Sequence, residues 1–141
     1  MTGIPDEVLE HFRKVPLFSA VSKGDLRAIV SAADEIDEPA GTVLVREGEF
    51  RSELFVITAG TATATQDGRE IRAMGPGDFF GEIALLCGGP RTSTVTAQSD
   101  VTLLILAPNP FLRVLRSEPD LLDEIMQALG DRLRSHEPAL V

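Results

Sequence analysis

Between Gly77 and Thr96 the chain reads G-D-F-F-G-E-I-A-L-L-C-G-G-P-R-T-S-T-V-T. A glycine turn, a carboxylate and a short apolar run of helical character stand ahead of one arginine and a set of hydroxyls. The start of a helix presents backbone N–H groups without intrahelical partners and a partial positive charge, so it attracts an anion. Glu82, directly after Gly81, can accept from a sugar hydroxyl. Arg91 can clamp phosphate oxygens with its fork of donors. These residue types suit a small ligand that carries both a sugar hydroxyl and a phosphate. The plainer reading is a surface loop in which Glu82 and Arg91 form an exposed ion pair of little energetic weight.

The order and spacing resemble the phosphate-binding cassette of cyclic nucleotide-binding domains, the family of the catabolite activator protein and the protein kinase A regulatory subunit. That pattern reads roughly G-E-[LI]-A-L-L, a short loop, then P-R-[TSA]-[AS]-[TS]-V. Here Gly81-Glu82-Ile83-Ala84-Leu85-Leu86 is followed by Pro90-Arg91-Thr92-Ser93-Thr94-Val95, with no gap. The similarity runs from about Val15 to Ser135.

The resemblance implies a role for each matched residue. Glu82 accepts from the ribose 2′-hydroxyl. Backbone N–H groups near Gly81, Ile83 and Ala84 face the cyclic phosphate or the ribose, and Arg91 pairs with the exocyclic phosphate oxygens. Thr92 reaches the phosphate, or a guanine amino group when the base is syn, so it leaves the base open. In relatives a side chain from the end of the last helix covers the purine; Arg134 and His136 stand there in this chain. The implied protein is a non-enzymatic sensor of cyclic AMP, with cyclic GMP second, needing no cofactor and no metal. That order rests on cyclic AMP being the commoner ligand of such domains. Arg91 is expected to have few partners until the phosphate arrives.

Composition sets the limits around this reading. At 141 residues and 43% hydrophobic content, the chain suits one domain, 1–141, with a proper core. No apolar run approaches the ~20 residues that span a bilayer. Met1–Glu10 is acidic and lacks an apolar signal region, and the one cysteine, Cys87, excludes an internal disulfide, so a cytoplasmic setting is expected. A net charge of −9 argues against nucleic acid as the partner of this segment, whereas a locally positive pocket still admits an anion. Nucleophile-elbow and Walker patterns are missing, and His11 and His136 read as solvated helix residues outside any metal cluster. A cupin-like metalloenzyme would share the fold, but the segment Asp34–Ala107 has no histidine. A degenerate domain of the same fold, used only for protein contacts, would not need Glu82, Arg91 and Thr92 together. About six residues follow Ser135, too few for a DNA-binding, kinase or channel segment, so the effector domain or partner protein is left unknown.

The elements that must position the cassette can be read from periodicity. Helices are expected over about 5–33. Val8, Leu9, Phe12 and Val15 lie at helical spacing, and Ser22 opens a capping box with Asp25 ahead of Leu26, Ile29, Val30 and Ala33. From about 34 to 107 short alternating runs are cut by Gly, Pro and Asp: Thr42–Arg46, Glu53–Thr58, Thr61–Thr65, Glu70–Met74, Thr92–Ala97 and Val101–Leu106. Helices return over about 110–136, where Leu121, Leu122, Ile125, Leu129 and Leu133 form a stripe. The expected fold is mainly β, a double-stranded β-helix or jelly-roll barrel of eight strands, with N-terminal helices and two C-terminal helices.

Overall fold

Short apolar runs punctuated by turn residues can bury one face only by pairing into sheets, and here they do so as eight strands. The computed structural model describes residues 4–134. Its strands are β1 (Asp34–Glu38), β2 (Val43–Val45), β3 (Leu54–Ala59), β4 (Ala62–Gln66), β5 (Arg69–Met74), β6 (Phe79–Phe80), β7 (Thr94–Ala97) and β8 (Val101–Leu106). They form two antiparallel four-stranded sheets, ordered β1-β8-β3-β6 and β2-β7-β4-β5. This is the jelly-roll arrangement expected.

The period of two along a strand explains why β3 and β8 read as nearly continuous apolar runs. Phe55 and Ile57 of β3, with Val101 and Leu103 of β8, point into the barrel beside Leu44, Ala64, Met74, Phe80 and Val95. Leu54 and Val56, with Leu104 and Leu106, point the other way and pack against helices. Both faces of this sheet region are therefore buried. The β4–β5 hairpin turns at Asp67 and Gly68, whose φ values of 51° and 79° are the left-handed pair that a tight two-residue hairpin requires.

The helices gather on the outer face of β3 and β8. They are α1 (Asp6–Arg13), a 3₁₀ turn (Pro16–Phe18), α2 (Lys23–Ser31), α3 (Glu82–Cys87) between β6 and β7 in sequence, α4 (Pro108–Ser117) and α5 (Pro119–Arg134). Leu9 and Phe12 of α1, Leu17 and Phe18 of the 3₁₀ turn, Ile29 of α2, Phe111 of α4 and Leu121 and Ile125 of α5 share one core cluster. The Phe18 ring lies between Phe12 at 6.2 Å and Phe111 at 5.8 Å, which joins the two ends of the chain. Ser22 caps α2 as the capping box predicts, its hydroxyl accepting from Asp25 N at 3.2 Å.

Four details differ from the sequence reading. β1 was not among the six runs because D-E-I-D-E offers one apolar residue in five; it is an edge strand that pairs only with β8. β6 is two residues long, too short to show a period. Leu122 is exposed, whereas Leu121, Ile125 and in part Ala128 pack into the cluster. His11 is buried rather than solvated, packed by the turn at Gly77. The side chains of Leu129 and Leu133 are not described.

Candidate functional site

The cassette hangs between β6 and β7. Gly81 leaves β6 at φ 87° and caps α3. A Cβ at Gly81 would run into Arg91 Nη1 and lie 2.5 Å from the Glu53 carbonyl oxygen, so this residue has to be glycine for the arginine to fit. The first intrahelical bond of α3 is Leu85 N to Gly81 O at 3.2 Å, which leaves the Glu82, Ile83 and Ala84 N–H groups ahead of the helix's own ladder. Leu85 is buried in the helical cluster, and Ala84 is partly buried.

Arg91 is placed by its backbone first. Its N–H donates to Glu49 O at 2.8 Å, and its carbonyl accepts from Gly48 N at 2.9 Å, which fixes it against the turn before β3. Arg91 is 6% exposed as a residue and 4% in its side chain. Nη2 donates to the Glu53 carbonyl at 2.7 Å and lies 3.7 Å from Glu53 Oε1. Nε is buried and has no hydrogen-bond partner among the described residues. Burial pulls the Arg91 pKa below its usual value, the Glu53 charge pushes it back up, and Arg51 pulls it down again. A guanidinium remains charged through all of this at neutral pH. The expectation of few partners is corrected here: Arg91 already holds a part-buried bond to Glu53, the residue just ahead of β3.

Three residues that the sequence reading did not assign to the site, Arg51, Glu53 and Phe55, surround the Arg91 guanidinium without being placed to hold the ligand themselves. Phe55 lies under Arg91 with the guanidinium carbon 5.7 Å from its ring centroid, and Arg51 lies 5.5 Å from the same ring. The Phe80 ring stacks on Phe55 at 4.7 Å. Glu53 receives Arg51 Nε at 3.3 Å and Nη2 at 3.2 Å. Burial raises the Glu53 carboxyl, but hydrogen bonds from Arg51 and the backbone, with the charges of Arg51 and Arg91, more than offset it, so it sits below the usual carboxylate range. The signal available in sequence was R-x-E in an extended segment, which puts both side chains on one side.

Glu82 is 2% exposed, and its Oε2 accepts from the Leu17 backbone N–H at 3.0 Å. The carboxylate singled out for a sugar hydroxyl thus also ties the cassette to the 3₁₀ turn, 65 residues away in sequence. Glu82→Ala should strand that buried N–H and cost about 1–3 kcal/mol, whereas Glu82→Gln keeps an acceptor and should cost less. Urea titration of the three proteins measures the difference; equal stability of Glu82→Ala and the parent would remove the bond's structural role.

Thr92 is exposed, and its carbonyl accepts from Gln66 Nε2 at 3.0 Å. Of the residues suggested for the base, Arg134 is exposed at the end of α5 and pairs with Asp131 on the same helix at 2.6 Å. His136 lies outside the described residues. No three His, Cys, Asp or Glu side chains gather as metal ligands among the described residues. None of the described helices is long and apolar enough to cross a membrane.

Comparison with known proteins bears on the same segment. The profile of the cyclic nucleotide-binding domain family matches residues 36–118. A cyclic nucleotide-gated potassium channel of Rhizobium etli is 36% identical over 118 residues, which is 84% of this chain and 33% of the channel. The chain thus spans about a third of that relative's length. The N-terminal domain of a transcriptional regulator from Streptomyces coelicolor superposes with a TM-score of 0.82 at 30% identity, covering 93% of this chain and 97% of that one. The regulatory domain of Toxoplasma gondii PKA, solved with cAMP, superposes with a TM-score of 0.70 at 33% identity over 77% of this chain and 43% of its own.

Proposed function

The chain belongs to the cyclic nucleotide-binding domain family, and we propose that it is a sensor that binds a cyclic purine nucleotide reversibly and without turnover, cyclic AMP ahead of cyclic GMP. The observation that carries this is the Arg91 guanidinium: buried, with Nε unpartnered among the described residues. A buried N–H of a charged group without a partner is costly, and an anion bound there removes the cost. A cyclic phosphate offers two exocyclic oxygens to Arg91. The backbone N–H groups at Ile83 and Ala84 lie at the start of α3 to face it. Glu82 takes the ribose 2′-hydroxyl, and Thr92 stands beside the phosphate. Arg134 and His136 are the candidates to cover the base. A second reading, the same fold serving protein contacts without nucleotide, draws on the Glu82 carboxylate already serving Leu17 N–H.

Calorimetric titration with cyclic AMP, cyclic GMP and linear AMP separates the two. The sensor reading expects saturable binding of a cyclic nucleotide, weaker binding of the linear one, and no linear product after long incubation. Absence of binding by either cyclic nucleotide would favour the protein-contact reading, and appearance of linear product would end the non-enzymatic one.

A further inference from the structure

Building on the nucleotide reading, we propose that Arg51 is a positioning residue of the phosphate site: it holds the Glu53 carboxylate in a two-point ion pair and so keeps that carboxylate from taking the ligand's place on Arg91. Both oxygens of Glu53 are engaged, Oε1 by Arg51 Nε at 3.3 Å and Oε2 by Arg51 Nη2 at 3.2 Å. The remaining nitrogen of Arg51, Nη1, donates to the Leu44 carbonyl at 2.9 Å, which anchors the guanidinium to β2. All three nitrogens are committed within the protein, so Arg51 acts as a holder and not as a ligand contact.

The consequence appears at Arg91. Glu53 Oε1 stops 3.7 Å from Arg91 Nη2, beyond hydrogen-bond reach, and Arg91 takes the Glu53 backbone carbonyl instead. Arg91 Nε is left over. A carboxylate and a phosphodiester present the same chemistry to a guanidinium: one negative charge spread over two oxygens. A Glu53 released from Arg51 needs only a side-chain rotation to close that gap and occupy the position a phosphate would use. Both cations lie against the Phe55 ring, at 5.5 and 5.7 Å, and that ring is itself stacked on Phe80. The other carboxylate acting on Arg91, that of Glu49, is occupied by the Arg46 N–H at 2.7 Å.

Affinity for a fluorescent cyclic AMP analogue in the parent, Arg51→Ala, Glu53→Gln and the double variant tests this. Arg51→Ala should weaken binding by about tenfold or more, the scale of a competing charge-assisted bond. Glu53→Gln should bind as tightly as the parent or tighter, and the double variant should lie within about threefold of Glu53→Gln, because the competitor is gone. Arg51→Lys should fall between, since one ammonium cannot hold both oxygens. An equal loss from Arg51→Ala in both backgrounds, or no loss in either, overturns the proposal. A second readout needs no nucleotide: side-chain nitrogen NMR of Arg91. Its Nε–H signal should shift and exchange more slowly in Arg51→Ala, and return to the parent position in the double variant. If the parent binds neither cyclic nucleotide, the sensor reading falls while this comparison still decides the role of Arg51, and an Arg91 signal unmoved in Arg51→Ala rejects it.

Discussion

Arg91→Ala is expected to weaken cyclic nucleotide binding on the order of 30-fold or more, the effect of removing one partner from a desolvated charge pair. The guanidinium is almost wholly withdrawn from water, so its bonds to a phosphate would be little screened. Arg91→Lys should recover part of the loss, because a single ammonium keeps the charge but cannot present a fork. The substitution also reaches the free protein. Arg91 Nη2 serves the Glu53 carbonyl, and the guanidinium covers Phe55, so alanine should cost about 1–3 kcal/mol of stability as well. Calorimetry at a temperature where both variants are folded separates the two effects. Parent-like affinity in a folded Arg91→Ala protein would show that the phosphate is held elsewhere or not at all.

Gly81→Ala is expected to damage stability and binding together. The backbone at φ 87° is strained for any residue with a Cβ, and the added carbon would meet Arg91 Nη1 and the Glu53 carbonyl. Strain in the left-handed region and a clash with backbone together suggest a loss of about 2–4 kcal/mol. The guanidinium could escape the new methyl only by giving up its bond to Glu53 O. Affinity should therefore fall even in the fraction that folds, by roughly tenfold if one charge-assisted bond is lost. Urea titration gives the first quantity and nucleotide titration the second. A variant as stable as the parent with unchanged affinity would show that the Gly81–Arg91–Glu53 contact supports neither the fold nor the site. By contrast, Gly89→Ala meets no heavy atom within 4 Å, though its φ of 93° still carries strain, and it should spare the affinity.

Local chemistry makes much of this protein legible in its sequence. The Ser22 cap, the Asp67-Gly68 turn and the β8 run Val101–Leu106 each follow from nearest neighbours along the chain: a hydroxyl three residues ahead of an orphan N–H, a pair of residues tolerant of positive φ, and a β-branched apolar segment. The run from Gly81 to Val95 was legible for the same reason, since its glycines, carboxylate and arginine are close in sequence. Single sequence could not show β1 or β6. One is nearly all acidic and the other two residues long, and both exist because β8 and β3 offer them ladders.

The site shows the same division. The sequence alone marked Glu82 and Arg91 as the groups with chemistry to do. Which atoms surround them was decided only by tertiary structure, because the partners are remote along the chain. Glu53 lies 38 residues before Arg91, and Leu17 lies 65 before Glu82. No periodicity connects such pairs. They meet because β3 passes beside the cassette and the 3₁₀ turn packs behind it, and burial then requires each polar group to find whatever donor or acceptor the fold has brought within reach.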